Sequence, residues 1–75
     1  MAAHQVNVYF WLIDTIASGR LTRDDINRRW ANCRYNDNHE SIFPERKFHR
    51  YKDEIQEIFD VEIRCDRNRD NYYYI

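Results

Sequence analysis

A chain of 75 residues is long enough for one domain and too short for two. Its composition, 43% hydrophobic and 33% charged with six Tyr, four Phe and two Trp, is that of a folded chain and excludes a disordered one. The formal net charge is −1, so nucleic-acid binding would have to rest on where the cations lie rather than on their number.

The first predicted helix covers Gln5–Ser18. Apolar residues recur there with helical spacing, and we expect them to form the buried face: Val6, Tyr9, Phe10, Ile13, Ile16 and Ala17. Gly19 is expected to end the helix in a left-handed conformation.

A second helix is predicted over Thr22–Arg34. Thr22 with Asp25 three residues later resembles a capping box, in which each side chain bonds the backbone N–H of the other residue. Ile26, Trp30 and Cys33 fall on one face of this helix, and we expect that face to be buried.

Residues Tyr35–Phe43 are mostly polar and show no periodicity, so a loop is predicted there. Pro44 suits the first turn of a third helix, Pro44–Phe59, because a missing N–H has no consequence at that position. The apolar stripe of this helix consists of Phe48, Tyr51, Ile55, Ile58 and Phe59, and Asp60 is expected to mark its end.

The remaining residues predict a β-hairpin. Val61–Asp66 alternates apolar and polar side chains with the period of a half-buried strand, and Asn71–Ile75 is rich in tyrosine, which favours strands. Arg67–Asp70 is a polar turn between them. Three helices followed by a two-stranded wing predict a mainly α winged helix-turn-helix domain over residues 1–75; a three-helix bundle with an unrelated hairpin is the alternative.

Charge is unevenly distributed along the third helix. Residues 45–52 contain four Lys or Arg and one acid, whereas residues 53–60 contain four acids and no base. Arg46 and Arg50 point away from Phe48 on a helical wheel, with Lys47 and His49 on either side of them. This order opposes the helix dipole and suits insertion of the first half into the major groove of duplex DNA.

From this pattern we predict the residues that contact DNA. Arg46 and Arg50 are expected to read bases, with His49 as a minor contributor, and Lys47 and Lys52 to meet phosphates. The hairpin tip, Arg67, Asn68 and Arg69, is expected to hold the flanking backbone. A solvated helix face carrying an Arg50–Glu54 ion pair is the alternative interpretation.

Trp11 and Val8 lie away from the predicted buried face of the first helix. An exposed Trp beside an apolar neighbour is typical of an interface, so we expect these two residues to meet a further domain or a second copy. Coverage by a long hairpin of the same domain is the alternative.

Several stretches resemble the N-terminal domain of WYL-domain transcriptional regulators, above all those of Bacteroides-like bacteria. They are Tyr9–Ile16, Phe48-His49, Ile58–Arg67 and Asn71–Ile75, and the resemblance extends from about Val6 to Ile75. It implies a bacterial winged helix that holds a larger regulator on double-stranded DNA, followed by a WYL domain that this chain does not contain. It also implies dimerisation of the full-length regulator through parts outside this chain.

No metal, cofactor or catalytic site is predicted. Cys33, Cys65 and the three histidines lack the spacing of zinc ligands, and no nucleophile stands beside a base. We expect both cysteines to be reduced and mostly buried, and the chain to be cytoplasmic without a membrane-spanning segment. A winged-helix domain that docks proteins without touching DNA is the alternative function, and the net charge suits it.

Overall fold

A computed structural model describes residues 3–67 and 72–75 of the chain. Three helices come first: α1 (Ala3–Ala17), α2 (Arg23–Ala31) and α3 (Glu45–Phe59). Two short strands follow, β1 (Arg64–Asp66) and β2 (Tyr72–Tyr74), paired antiparallel with Cys65 opposite Tyr73. The fold is therefore mainly helical with a terminal hairpin, as predicted, and its layout is compatible with a winged helix.

The first helix begins two residues before the predicted Gln5 and ends one residue before the predicted Ser18, and its predicted buried face is only partly right. Phe10 and Ala17 are exposed, whereas Val8, Leu12 and Thr15 are buried together with the correctly predicted Tyr9 and Ile16. Seven of the eight residues from Val6 to Ile13 are apolar, so the spacing alone did not identify the face that packs. Gly19 does not take the predicted left-handed conformation; the Ser18 hydroxyl instead donates to the Thr15 carbonyl at 2.6 Å where the helix ends.

The start of α2 is as predicted and its end is earlier. Thr22 and Asp25 form a reciprocal capping box, with N–H to oxygen distances of 3.1 and 3.2 Å. The helix ends at Ala31 rather than Arg34, because the chain turns at Asn32 to enter the loop. Cys33 lies beyond the helix but still packs, half-buried, against the core.

The third helix has the predicted end and most of the predicted stripe. Asp60 caps it in a left-handed conformation with φ of 55°, which Asp tolerates better than most residues. Phe48, Tyr51 and Ile55 are buried and Phe59 is half-buried, but Ile58 is exposed. Pro44 stands at the N-cap position, so the helical residues begin one position later than predicted.

The hairpin is shorter than predicted and has an additional partner. Leu21, in the connection between α1 and α2, bridges Tyr73 through two backbone hydrogen bonds of 3.1 and 2.7 Å. This bridge adds a third extended segment beside β2 and fastens the hairpin to the helices. Sequence periodicity could not predict this bridge, because a single bridging residue has no repeat.

The core is strongly aromatic. Its fully buried side chains come from all three helices and from the segment before α3: Val8, Tyr9, Leu12, Ile16, Ile26, Trp30, Phe43, Phe48 and Ile55. Ile63 and Tyr73 bring the hairpin into the same cluster, where the Tyr73 ring lies 4.8 Å from that of Phe48. Both cysteines are free thiols and half-buried, and burial raises the pKa of Cys33 above its ordinary value.

Within residues 3–67 and 72–75, none of the helices is both long and apolar enough to cross a membrane.

Candidate nucleic-acid interface

The outer face of α3 carries three cationic or titratable side chains close together. Arg46, His49 and Arg50 are all exposed, and Phe48, on the opposite side of the helix, is fully buried. The outward orientation predicted for the two arginines is therefore confirmed. Arg46 and Arg50 stand one turn apart, so their guanidinium groups project from the same side of the helix.

These side chains differ in whether a carboxylate of the same domain lies within ion-pair distance. The Arg50 Nε lies 3.6 Å from a Glu54 oxygen, which is the i, i+4 pair of the alternative interpretation, a solvated helix face. His49 Nε2 lies 3.8 Å from a Glu45 oxygen. Arg46 has no carboxylate within ion-pair distance among the described residues. Arg46 is thus the most available cation of this face.

Lys47 is held inside the domain rather than presented on the outer face. Its Nζ lies 5.4 Å from the ring centroid of Trp30, 5.7 Å from that of Phe43 and 5.6 Å from that of Tyr51. A carboxylate oxygen of Glu40 is 4.0 Å away. An ammonium group inside about 6 Å of a ring face is attracted to it. A phosphate contact by Lys47 would have to replace all of these interactions.

Lys52 also differs from the other predicted contacts. It follows Phe48 by four residues, which places it about 40° from the buried direction of the helix. Its side chain is accordingly half-buried. The structure therefore does not bring Lys52 onto the face formed by Arg46, His49 and Arg50.

The beginning of α3 is fixed by two polar side chains of α2. The Asn27 side-chain oxygen accepts from the backbone N–H of Phe43 at 2.9 Å, and Arg23 Nη2 donates to the carbonyl of Phe43 at 2.6 Å. The Arg23 guanidinium also lies 4.3 Å from the centroid of the Phe48 ring. Burial lowers the pKa of Arg23 from its ordinary value, an effect that Tyr73, Glu45 and Asp24 partly offset.

A buried amide organises the long segment before α3. Asn36 donates from Nδ2 to the carbonyls of Trp30 and Glu40, and its Oδ1 accepts from the backbone N–H of Glu40. These bonds return the chain toward α2, so that Phe43 reaches the core although the segment is longer than a tight turn. Sequence reasoning missed Asn36, since asparagine in a polar loop is common.

The middle of α3 is joined to α1 through Glu54. Its carboxylate accepts hydrogen bonds from the Tyr9 hydroxyl and, at 3.2 Å, from Gln5 Nε2. The Tyr9 ring also packs edge-to-face on Tyr51 at 4.9 Å. These contacts set the crossing of the two helices and thereby the direction in which Arg50 projects.

Further cations lie in the hairpin and beside it, in the connection between α1 and α2. Arg20 lies 3.5 Å from Asp66 and 5.5 Å from the ring centroid of Tyr74, and Arg64 lies 3.2 Å from Glu62. Arg67 is exposed in the turn after β1. Asn68 and Arg69, the other two predicted contacts of the hairpin tip, lie outside the described residues.

The predicted exposure of Val8 and Trp11 is wrong. Val8 is 1% exposed and belongs to the core. Trp11 is half-buried, with its ring 5.3 Å from Trp30 and stacked at 6.2 Å on Phe43. Trp11 is thus partly covered within the domain by Trp30 of α2 and Phe43 of the segment before α3, not by the hairpin expected in the alternative. The apolar surface that α1 does expose lies at Phe10 instead.

The geometry thus describes a three-helix domain with a hairpin wing and a small cationic face at the start of its third helix. Comparisons with protein-family models, with curated proteins and with solved structures find no match for this chain.

Proposed function

We propose that this chain binds duplex DNA, with the first half of α3 in the major groove and the hairpin on the backbone. The observation that carries the proposal is the cationic face of α3, where exposed Arg46, His49 and Arg50 project together from the first half of the helix. A guanidinium one turn from another can address successive base pairs, and each bidentate contact to guanine contributes about 1–3 kcal/mol of discrimination.

The hydrogen bonds that fix the position of α3 favour the same function. A helix that reads bases needs a fixed register. Arg23 and Asn27 of α2 bond the backbone of Phe43 just before α3, and Gln5 of α1 donates to Glu54 in the middle of α3. Charge along α3 changes from basic to acidic, which suits entry of the first half into the groove and keeps the second half away from phosphates.

The resemblance to WYL-domain regulators extends the proposal to a biological role. By that resemblance, the chain is the DNA-binding part of a bacterial transcription regulator whose downstream domain senses a ligand and whose dimerisation pairs two half-sites. Arg67 would then contact the DNA flank from the hairpin turn.

Fluorescence anisotropy with a labelled random-sequence duplex tests DNA binding. We expect binding at low salt that weakens steeply as salt rises, because several phosphates are neutralised. On this random-sequence duplex binding is nonspecific and both arginines lie against phosphates, so the double variant Arg46→Ala/Arg50→Ala should reduce the slope of log K against log salt by about 1–2 units.

A matched control removes the same charge elsewhere. Arg29 donates to Ser18 at the end of α1, and Arg34 stacks on Tyr35, so both lie away from the face of α3. Arg29→Ala/Arg34→Ala should leave the slope nearly unchanged. Equal losses from the two double variants, or no binding by the parent at low salt, would contradict the proposal and leave the protein-docking alternative.

A further inference from the structure

Two large apolar side chains remain open to solvent beside the contact between α1 and α3. Phe10 is 49% exposed and Ile58 is 47% exposed, and the half-buried ring of Phe59 lies 5.2 Å from that of Phe10. We call Phe10, Ile58 and Phe59 the apolar patch. The core beneath it is already closed, because Tyr9 and Ile55 are fully buried. Exposure of this kind is typical of a surface that meets another molecule.

Exposed carboxylates are neighbours of the apolar patch along the chain. Asp14 follows Phe10 by one helical turn, Glu57 directly precedes Ile58, and Asp60 directly follows Phe59; all three are exposed. No described cation lies within ion-pair distance of any of them. Glu57 and Asp60 also stand at the C-terminal end of α3, where the helix dipole disfavours negative charge. The backbone of Asp60 caps the helix, but the negative charge of the two side chains does not serve its stability.

We infer that the apolar patch is a docking site for a basic amphipathic helix of another protein. Apolar side chains of such a helix would cover Phe10 and Ile58, and its Lys or Arg residues would meet Asp14, Glu57 and Asp60. Duplex DNA and anionic lipid are repelled by the same carboxylates. A second copy related by a two-fold axis would bring the acids of one patch against those of the other.

The apolar patch and the cationic face of α3 can be occupied together. Ile58 is eight residues beyond Arg50, the nearest member of that face, and twelve beyond Arg46, which are about 12 and 18 Å along the helix axis. The proposed docking therefore does not depend on DNA binding, and either activity can be present without the other.

A designed peptide tests the docking site. The probe is a synthetic amphipathic helix with leucine on one face and lysine elsewhere, titrated into the ¹⁵N-labelled full chain. We expect saturable amide shifts centred on Phe10, Asp14 and residues 57–60, weakened by added salt. The same peptide with glutamate in place of lysine should not bind, since it would face the acids.

Two variants with matched exposure sharpen the test. Ile58→Ser should weaken binding of the lysine peptide by about tenfold. Ile42, 54% exposed and adjacent to Phe43 before α3, provides the control, and Ile42→Ser should leave affinity unchanged. Glu57→Lys, which spares every packed residue, should weaken binding to a similar degree.

Other results would overturn the inference. Equal binding of both peptides, equal effects of the two serine variants, or shifts centred away from the apolar patch would each do so. Concentration-dependent sedimentation of the parent chain that Ile58→Ser abolishes would assign the patch to a second copy instead.

Discussion

Asn36 shows how a single buried amide can shape the segment that leads into α3. Its side chain makes three hydrogen bonds to the backbone, at 3.0, 2.8 and 3.0 Å, while only 4% of the residue is exposed. A buried side chain that satisfies both carbonyls and an N–H cannot be replaced by solvent without opening the loop. The path from Trp30 to Phe43 therefore depends on this residue.

We expect Asn36→Ala to reduce the free energy of unfolding by about 2–3 kcal/mol, because it leaves buried backbone groups without partners. The loss is large for a chain of this length, whose total stability is on the order of 4–11 kcal/mol. Urea denaturation followed by circular dichroism measures it. The exposed neighbour Asn38 provides the control, and Asn38→Ala should change stability by less than about 0.5 kcal/mol. Similar losses from both variants would contradict the role given to the buried amide.

Among the helices, α2 begins with a cap that depends on a charged side chain. The backbone N–H of Thr22 donates to the Asp25 carboxylate, and this bond is the main cause that lowers the pKa of Asp25 below its ordinary value. A carboxyl whose pKa is lowered in the folded state contributes its full stability at pH values above the unfolded pKa of about 3.9. That contribution is lost as the pH falls through the lower pKa of the folded state. The cap should therefore weaken in acid.

Asp25→Asn tests this dependence on pH. The variant should be less stable than the parent at neutral pH, and the difference should shrink as pH falls below about 4, where the parent carboxyl becomes protonated. Thermal unfolding at a series of pH values measures the difference. Asp24 is exposed beside it, and within residues 3–67 and 72–75 its carboxylate makes no side-chain hydrogen bond, so Asp24→Asn is the matched control. A difference between Asp25→Asn and parent that stays constant from neutral to acid pH would contradict the cap as its source.

Elements with a clear contrast between faces were predictable from the sequence, and the others were not. In α3, polar residues separate Phe48, Tyr51 and Ile55, so both the buried stripe and the outward direction of Arg46 and Arg50 followed from the helical period. In α1, apolar residues surround the helix, and the choice of Val8 over Phe10 depended on where α2 and α3 lie. Periodicity contains no such information.

The candidate interface divides in the same way. The exposure of Arg46 and Arg50 could be predicted from the geometry of one helix alone. The inward placement of Lys47 could not be predicted in this way. It depends on three aromatic rings, two of which belong to α2 and to the segment before α3. The Leu21–Tyr73 bridge likewise joins residues far apart in the chain, so no local pattern could have predicted it.

At the scale of the whole molecule, the base of the hairpin belongs to the same core as the helices. Tyr73 packs on Phe48, exchanges two backbone hydrogen bonds with Leu21, and has a pKa raised by burial of its hydroxyl. Ile63 is buried in the same cluster. Because the hairpin shares its apolar contacts with the helices, it is not a separate cooperative unit that could unfold while the helices stay folded.

We therefore expect the hairpin and the helices to unfold in one cooperative transition. Both tryptophans lie in the aromatic cluster around Phe43, so their fluorescence reports on the core, while far-ultraviolet circular dichroism reports on the helices. The two denaturation curves should coincide, as they do in a two-state transition. Native-state hydrogen exchange should give the amides of Leu21 and Tyr73 the same opening free energy as the slowest amides of α3, because only global unfolding breaks their bridge. Faster exchange at those two amides, with α3 still protected, would show that the hairpin detaches by itself. In that case the hairpin would approach DNA as a mobile arm rather than as a fixed part of the domain.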